Sequence, residues 1–299
     1  PSLMLTQEGV PVDTPSRCLL CLPYVLSYVP TVATDDVLSL ADAEVRHEIQ
    51  YYDHFGNPTV KVQHGFSPLG HDLITLQDYD ALNRASKLWL PVAYGSSDGS
   101  YVNPGKLSQT ARSFSLYGMD SHPYSLTVYD GSALNEVVEE YGPGKNWHTT
   151  GHSVKNDRMT NVLASVRLYG VGENFSLTMS GLYSPCTLDA VRTTDEDGNV
   201  TYEFRDKTGR TLLTRQMNGD EAHDTYTVYD NYGNVCFILP PLAADSLMAV
   251  KSYAESHPVL QKYAYIYHYD KYNRCIYKKL PGCDPVYTIY DAADRPVFT

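Results

Sequence analysis

The sequence has no excess of basic residues and no long apolar run. Of its 299 residues, 23 are Lys or Arg and 35 are Asp or Glu, so the formal net charge is −12 at pH 7. Phosphate-binding surfaces and anionic-membrane surfaces both require clusters of positive charge. We therefore expect neither nucleic acid nor an anionic membrane surface as a partner. No apolar stretch approaches the roughly 20 residues that a membrane-spanning helix requires, so no membrane span is expected in this segment.

Cysteine and phenylalanine are also scarce. Only Cys18 and Cys21 form a closely spaced pair, and no second pair or histidine cluster completes a zinc pattern. We therefore expect no metal and no cofactor, while any disulfide pairing stays open. The chain has 7 Phe but 26 Tyr. Tyrosine suits a sheet with one buried and one wet face, because its ring packs while its hydroxyl reaches water.

One turn motif recurs along the chain: Tyr-Asp, two variable residues, then Gly, Asn or Asp, followed in most copies by Arg or Asn. Complete copies begin at Tyr52, Tyr79, Tyr229, Tyr269 and Tyr290; the copy at Arg205 lacks only the tyrosine, and the copy at Tyr129 reaches Asn135 after two extra residues. A motif repeated this often indicates an architecture built by repetition.

Each copy predicts a β-hairpin. Asp is favoured at the first position of a type I turn, and Gly, Asn and Asp best tolerate the left-handed backbone that commonly follows such a turn. The flanking segments are rich in β-branched and aromatic residues. The predicted structural turn residues are Asp53, Gly56, Asp80, Asn83, Asp206, Gly209, Asp230, Gly233, Asp270, Asn273, Asp291 and Asp294.

These hairpins predict a mainly β fold: consecutive antiparallel hairpins forming a long, curved sheet, a partial β-shell, with one short inserted helix. We expect an extended lead-in over 1–22, a first repeat segment over 23–130, a β-rich interruption over 131–200 and a second repeat segment over 201–299. Helical spacing of Leu247, Val250 and Tyr253 places the helix at about 242–256. Two hairpins are expected around the interruption, pairing 162–169 with 174–179 and 187–193 with 199–205.

The repeat resembles the YD-repeat, or RHS-repeat, family over about residues 45–299. The resemblance is carried by Tyr-Asp, by the following Gly-Arg or Asn-Arg, and by Leu-Pro stops such as Leu90-Pro91 and Leu280-Pro281. It is closest to RHS proteins of the Bacteroidetes type and implies a bacterial surface or secreted protein. The resemblance also implies a long sheet that spirals into a hollow shell. In some relatives this shell encloses a toxic C-terminal domain, and in animal teneurins a related shell supports cell adhesion.

The resemblance also guides the expected partners. Thr299 falls inside the second strand of the last predicted hairpin, which predicts that the sequence is a segment of a longer protein. Its partners would then be downstream repeats of the parent polypeptide and an enclosed C-terminal domain. The self-cleaving aspartate site of toxin-type relatives would lie downstream, so no catalytic residue is assigned here.

Several short strings resemble catalytic or ligand-binding motifs, and each has a simpler explanation. Gly95–Gly99 matches G-x-S-x-G but lacks the helix that must follow a hydrolase serine, so a flexible loop is favoured. Gly142–Lys145 lacks most of a phosphate loop. Asp195–Asn199 fits an Asp-Gly hairpin turn better than a calcium loop. We therefore expect no enzymatic activity, with a hydrolase as the remaining enzyme alternative.

A glycan-binding module, or binding to another cell-surface protein, is the main alternative function. Exposed aromatic rings beside Asp and Asn suit sugar stacking and hydroxyl hydrogen bonds, and Trp89 and Trp147 are the possible stacking residues, although core packing is the commoner role of tryptophan. His148 and His152 have the spacing of two metal ligands on a helix, but the intervening Thr-Thr-Gly disfavours a helix there. We interpret these two histidines as surface residues.

Overall fold

A computed structural model describes residues 3–5, 22–34, 44–162, 166–249 and 251–299. Cys18, Cys21 and nearly all of the predicted lead-in lie outside these residues. Residues 35–44, whose sequence predicts a loop or a short helical turn, also lie outside them except for Glu44. The chain divides into two compact units, Pro1–Ser153 and Val154–Thr299. The boundaries predicted at 130 and 200 stay a prediction, because a compact unit need not coincide with a repeat segment.

In its described residues, the first unit is an antiparallel sheet with two short helices. Its elements are β1 (Leu3–Leu5), β2 (Tyr24–Pro30), β3 (Val45–Tyr52), β4 (Pro58–Gln63), β5 (Asp72–Tyr79), β6 (Ala85–Trp89), β7 (Val92–Tyr94), α1 (Pro104–Arg112), a 3₁₀ turn (Ser115–Tyr117), β8 (Tyr124–Tyr129), β9 (Val137–Tyr141) and α2 (Lys145–Thr150). Strands β1 to β5 pair in chain order, β5 pairs with both β6 and β7, and β8 joins β6 to β9. Alternate residues of β4 and β5 pack against Leu107 and Ala111 of α1.

The second unit is also antiparallel. Its elements are β10 (Ser153–Thr160), β11 (Arg167–Val171), a 3₁₀ turn (Glu173–Phe175), β12 (Leu177–Leu182), β13 (Asp189–Thr194), β14 (Val200–Arg205), β15 (Thr211–Asn218), β16 (Glu221–Tyr229), β17 (Val235–Leu239), α3 (Pro241–Ser246), β18 (Ser252–Tyr253), α4 (Pro258–Tyr263), β19 (Tyr265–Tyr269), β20 (Cys275–Lys279), β21 (Val286–Tyr287), β22 (Ile289–Tyr290) and β23 (Pro296–Phe298). Strands β10, β13 to β17 and β19 to β21 pair successively; β11, β12 and β18 form a small sheet, and β22 pairs with β23.

The core of this second unit lies between its sheets and helices. Phe204, Leu213, Tyr226, Phe237 and Ile266 are almost wholly buried on successive strands of the larger sheet. They pack in one cluster with apolar residues of β12, α3 and α4, the chief of which are Leu177, Ala243, Ala244 and Leu260. The small sheet and the two helices therefore cover one face of the larger sheet.

The predicted mainly β fold of consecutive antiparallel hairpins is confirmed. The prediction had one short inserted helix, whereas the described residues contain four short helices, α1 to α4. The predicted hairpin over 187–205 is present as β13 and β14, and the predicted pairing of 162–169 with 174–179 is displaced to β11 and β12.

The predicted helix over 242–256 is wrong in length. Helix α3 ends at Ser246, and Tyr253 lies in β18, where it pairs with Leu177 of β12. A second helix, α4, follows at Pro258. Sheet pairing of Ser252 and Tyr253 overrides a helical period that extended over few residues.

Residues 94–113 are polar and rich in Gly, Ser and Asn, which predicts a long loop, but they contain helix α1. The Asn103 side chain accepts a hydrogen bond from the Gly105 amide at 2.9 Å, and Pro104 occupies the first helical position. An asparagine cap followed by proline is a start signal for a helix, so the sequence contained this information. Helix α2 also forms where Thr-Thr-Gly disfavoured one, and it ends at the left-handed Gly151.

Candidate functional site

The repeated turn is a three-residue loop closed by an aspartate. In the first copy, the Asp53 amide donates to the Asn57 carbonyl at 2.9 Å and the Gly56 amide donates to the Asp53 carbonyl at 3.1 Å. The Asp53 carboxylate accepts the amides of Phe55 and Asn57, each at 2.8 Å, and the Asn57 side chain at 2.9 Å. One carboxylate therefore accepts three of the donors at the tip of the hairpin.

We number the turn residues from the aspartate. The fourth residue has a left-handed backbone in the five complete copies and in the copy at Arg205. The φ values are +83° at Gly56, +65° at Asn83, +82° at Gly209, +89° at Gly233, +61° at Asn273 and +61° at Asp294. The looser copy behaves in the same way, since φ is +56° at Asn135. Each turn is followed by a register shift in the hairpin, as expected for a type I turn with a bulge.

The Asp-Gly turn predicted at Asp195–Asn199, within the interruption, has the same hydrogen bonds as the repeated turn. The Asp195 carboxylate accepts the amides of Asp197 and Asn199 and the Asn199 side chain, and Gly198 has a φ of +85°. Thr194 stands where the motif has tyrosine. The geometry of the turn therefore does not depend on the tyrosine.

Hydrogen bonds lower the pKa of several turn aspartates. At Asp206, partial burial acts to raise the pKa, but hydrogen bonds from Thr208 and Arg210 outweigh it and lower the pKa from 3.8 to about 2. The amide and guanidinium of Arg84 likewise lower the pKa of Asp80. Arg295 lowers the pKa of Asp291 in the same way. These carboxylates are committed to the turn rather than available for acid–base chemistry.

The tyrosine of the motif contacts the preceding hairpin. Its hydroxyl donates to the carbonyl of the residue two positions after the left-handed residue of that hairpin. The five bonds run from Tyr79 to Pro58 (2.9 Å), Tyr129 to Ala85 (2.9 Å), Tyr229 to Thr211 (3.0 Å), Tyr269 to Val235 (3.1 Å) and Tyr290 to Cys275 (3.0 Å). At these five positions the tyrosine hydroxyl therefore bonds to the main chain of the preceding hairpin.

These hydroxyls act where the ladder between successive hairpins has ended. Between β17 and β19, the last pair toward the turn is Phe237 with Ile266. The Val235 carbonyl lies two residues beyond this pair and receives the hydroxyl of Tyr269 instead of a backbone amide. The other four interfaces end two residues from the accepting carbonyl in the same way. A side chain thus replaces a ladder hydrogen bond at each position.

A second link runs in the opposite direction along the chain, from the fifth residue of one turn to the next turn. The Asn57 side-chain amide donates to its own Asp53 and to the Asn83 side-chain oxygen, at 2.9 and 2.8 Å. Equivalent links run from Arg84 to Asn135 (3.2 Å), Asn234 to Asn273 (3.0 Å) and Arg274 to Asp294 (2.6 Å). We call the tyrosine bond and this bond together the hairpin interlock.

The interlock reaches the left-handed residues that have a side-chain oxygen, and it does not reach Gly209 or Gly233. Asn83, Asn273 and Asp294 all receive a donor from the preceding turn, whereas the first turn of the chain has Gly56. Where the fifth residue is arginine, its guanidinium also lies over the next tyrosine ring, 4.5 Å from the centroid for Arg84 over Tyr129 and 5.0 Å for Arg274 over Tyr290.

The two tryptophans differ. Trp89 is 3% exposed, its indole donates to Asp78 at 2.8 Å, and Tyr124 and Arg112 pack against its ring. It is a core residue with no face left for a ligand. Trp147 is 42% exposed on α2 and contacts His152 edge to face.

Asp72 is a buried polar residue that the sequence did not single out. It accepts the amides of Gly65 and Gly99, both at 2.9 Å, and the hydroxyl of Ser96 at 3.0 Å. Burial acts to raise the pKa of Asp72, but these bonds together with His64 lower it overall. The Gly95–Gly99 string is therefore an anchored structural loop.

The predicted histidine pair is not brought together as ligands. His148 stacks on Tyr141 with ring centroids 5.1 Å apart, and His152 packs on Trp147. In the described residues, no three His, Cys, Asp or Glu side chains converge as a metal site would need. Cys186, Cys236, Cys275 and Cys283 are free thiols. No described helix combines the length and apolar character needed to cross a bilayer.

A family model matches a little less than half of the chain. Residues 26–160 match the Domain of unknown function DUF6443. No curated protein matches the sequence.

Solved structures match the fold over most of the chain. A structure of TcdB2-TccC3-Cdc42 aligns with a TM-score of 0.56 at 13% identity, over 92% of this chain and 12% of that one. A structure of TcdB2-TccC3 covers 99% of this chain and 13% of its own, with a TM-score of 0.54 at 12% identity. The Photorhabdus luminescens Tc holotoxin pore, with mutation TccC3-D651A, covers 92% and 12%, with a TM-score of 0.57 at 12% identity.

The chain therefore spans about an eighth of the length of the solved chains that it matches, and at these identities the likeness concerns the fold. Together with the family match and the repeated turn, it supports the RHS-type relationship that the motif predicts.

Proposed function

We propose that this chain is a non-catalytic structural and interaction segment of a larger RHS-type protein, secreted or displayed on a bacterial surface. Its role is to form part of the wall of a β-shell or a binding platform. The hairpin interlock carries this proposal, because its side-chain hydrogen bonds join one hairpin to the next. A Bacteroidetes-type origin belongs to the same proposal.

The larger polypeptide would supply the partners. The solved structures of similar fold are far longer chains within toxin complexes, which supports downstream repeats and an enclosed C-terminal domain as partners. Each turn aspartate accepts hydrogen bonds within its own turn, and the turns are separate. This supports a non-catalytic role, because general acid–base catalysis needs carboxylates that converge on one substrate.

The test is the intact mass and the terminal sequences of the native polypeptide, taken from the cells that produce it. A much longer chain, cleaved near its C-terminus, is the expected result. A native product that ends near Thr299 would overturn the shell and leave a self-standing binding module.

Glycan binding is the second candidate, and one cavity favours it. A cavity of about 340 Å³ lies between the turns of Asp230 and Asp270 and is lined by Tyr232, His268 and Lys271 among others. Tyr232 is 83% exposed, and an exposed ring beside carboxylates suits a sugar face.

Calorimetry with an oligosaccharide panel tests this role: binding should weaken at least tenfold in Tyr232→Ala and be unchanged in Phe55→Ala, an exposed turn residue of the first unit. Absence of any binding sugar would contradict it.

A further inference from the structure

Helix α2 rests on a cluster of histidine and tyrosine rings in the first unit. The ring of His148 stacks on Tyr141 of β9, with the centroids 5.1 Å apart, and meets Tyr124 of β8 edge to face at 5.2 Å. His122, in the loop before β8, completes the cluster, with its ring centroid 4.9 Å from that of His148 and 5.5 Å from that of Tyr124. Two groups that each take up a proton near neutral pH therefore lie side by side against one short helix.

The position of α2 depends on the ring of His148. The helix has six residues, and a helix of this length contributes little stability of its own. At its start, the amide of Gly144 donates to the His122 carbonyl at 2.8 Å, and the amide of Lys145 donates to the Asp120 carboxylate at 2.9 Å. Its side-chain contact with the sheet is made by His148, which stacks as described and donates from Nε2 to the Tyr124 carbonyl at 3.3 Å.

The groups that surround the histidine pair, directly or through its tyrosines, carry charges of both signs. They are Lys87 of β6, Arg112 of α1, Asp120 of the loop before β8, Tyr124 of β8, Glu139 and Tyr141 of β9, and Lys145 of α2. Hydrogen bonds from the amides of His122 and Lys145 lower the pKa of Asp120, so this carboxylate stays ionised in mild acid. The histidines are therefore the groups of this cluster that change charge between neutral pH and mild acid.

The surroundings of His122 disfavour its charged form. Burial lowers the pKa of His122 below its usual 6.5, and the neighbouring His148 lowers it further, which together outweigh the opposite effect of Asp120. A histidine with a lowered folded pKa contributes its full stability above the unfolded pKa. This stability is lost as the pH falls from about 6.5 toward the folded pKa. Mild acid therefore favours an arrangement in which the two rings are apart.

We propose that the pair of His122 and His148 is a pH-sensitive clasp, which holds α2 against β8 and β9 near neutral pH and releases it in mild acid. When both rings are protonated, two positive charges lie about 5 Å apart. Their repulsion acts on the ring that attaches α2 to the sheet. Release separates the rings and uncovers the faces of Tyr124 and Tyr141, while the strands beneath stay paired. This conformational device goes beyond the proposed function and needs no larger polypeptide.

Hydrogen exchange of the full chain tests the clasp. The amides at positions 148 and 152 donate to the carbonyls of Gly144 and Trp147, so their exchange reports the opening of α2. Rates are measured at about pH 7.5 and about pH 5 and divided by the intrinsic rate of an unstructured peptide at the same pH. We expect α2 to open at least about fourfold more often at the lower pH, the factor that two unit charges about 5 Å apart produce even in bulk water. The amides of β4 and β5, in the core of the same unit, should keep their protection.

Two variants remove the repulsion, and one serves as a control. In His122→Gln one of the two charges is lost, and the ratio of opening between the two pH values should fall toward one. His148→Phe keeps a ring against Tyr141 but takes up no proton, and it should have the same effect on this ratio. His152→Gln removes a histidine that packs on Trp147 and leaves the pair intact, so the ratio should not change.

Equal opening of α2 at the two pH values in the unaltered chain would overturn the proposal. An acid-induced opening that persists in both pair variants would also overturn it, and so would one that His152→Gln removes to the same extent. Loss of protection in β4 and β5 together with α2 would show acid unfolding of the whole unit, and this result rejects a local clasp.

Discussion

At the residue scale, the aspartate and the tyrosine of the motif have different structural roles. The aspartate acts within its own turn, where it collects the amides and the side chain at the tip. The tyrosine acts between hairpins, where its hydroxyl reaches a carbonyl beyond the end of the ladder. The sequence shows the two residues as adjacent letters, and only the structure separates their roles.

The tyrosine role predicts a measurable loss of stability. Tyr269→Phe keeps the ring but leaves the Val235 carbonyl without its donor, and we expect the free energy of unfolding in urea to fall by about 1 kcal/mol. Tyr267→Phe is the matched control, because this hydroxyl lies on the same strand and bonds to no carbonyl among the described residues. Equal losses in the two variants would show that the bond from Tyr269 adds nothing.

The aspartate role predicts a pH dependence. The pKa of Asp206 is about 2 in the folded chain, against 3.8 without its partners. A carboxylate with a lowered folded pKa contributes its full stability above the unfolded pKa and loses it as the pH falls through the folded pKa. The free energy of unfolding should therefore fall between about pH 4 and pH 2, and this fall should be smaller in Asp206→Asn. The exposed Asp197→Asn should retain the full pH dependence; an unchanged profile in both variants would argue against the role of Asp206.

At the element scale, the left-handed position couples one hairpin to the next. Gly233 interrupts this coupling because it gives Arg210 no acceptor. The Cβ of a larger residue at Gly233 would meet no atom within 4 Å, and Asn tolerates a left-handed backbone far better than other residues with a side chain.

Gly233→Asn should therefore supply the missing acceptor to Arg210. The new hydrogen bond from Arg210 stabilises the folded chain, whereas the left-handed backbone strains a residue that has a Cβ. We expect the unfolding free energy to change by less than about 0.5 kcal/mol or to increase. Gly233→Ala has the same strained backbone without the oxygen and should cost about 1–2 kcal/mol. Thermal or urea unfolding of both variants measures the difference, and equal losses in Ala and Asn would reject the coupling.

The elements also show what the sequence could predict. The turns at Asp53, Asp80 and Asp270 were predictable, because local backbone preference and carboxylate geometry both lie within five residues. Helix α1 was missed although Asn103 and Pro104 signal its start. The helix predicted over 242–256 was too long, because Tyr253 pairs with a strand far away in sequence. The burial of Asp72 had no local signal, since its partners come from two separate loops.

At the scale of the whole molecule, each unit has its own hydrophobic core. Ile74 and Trp89 belong to the core of the first unit, and Phe204 and Leu213 belong to that of the second. Both tryptophans of the chain lie in the first unit. Tryptophan fluorescence therefore reports the first unit, whereas far-ultraviolet circular dichroism reports both.

Separate cores predict that a core substitution acts mainly within its own unit. Leu213→Ala removes a fully buried side chain and should destabilise the second unit by about 2–5 kcal/mol. The circular dichroism transition should then shift or split, while the tryptophan transition stays in place. Val62→Ala in the first unit is the reciprocal variant and should shift the fluorescence transition. A fluorescence shift of equal size in both variants would show that the chain unfolds as one cooperative unit.

The hairpin interlock gives the array a direction. Each hairpin presents its tyrosine hydroxyl, and in most copies the oxygen of its left-handed residue, to the neighbour behind it. It presents a main-chain carbonyl and, in most copies, a side-chain donor to the neighbour ahead, so its two sides are not interchangeable. A segment removed or inserted as one whole period, from one Tyr-Asp to the next, brings together surfaces that already match, provided that the left-handed residue suits its new donor. A cut at any other position leaves a tyrosine hydroxyl or a main-chain carbonyl without its hydrogen-bond partner. Changes in the length of an array of these hairpins should therefore occur in whole hairpins.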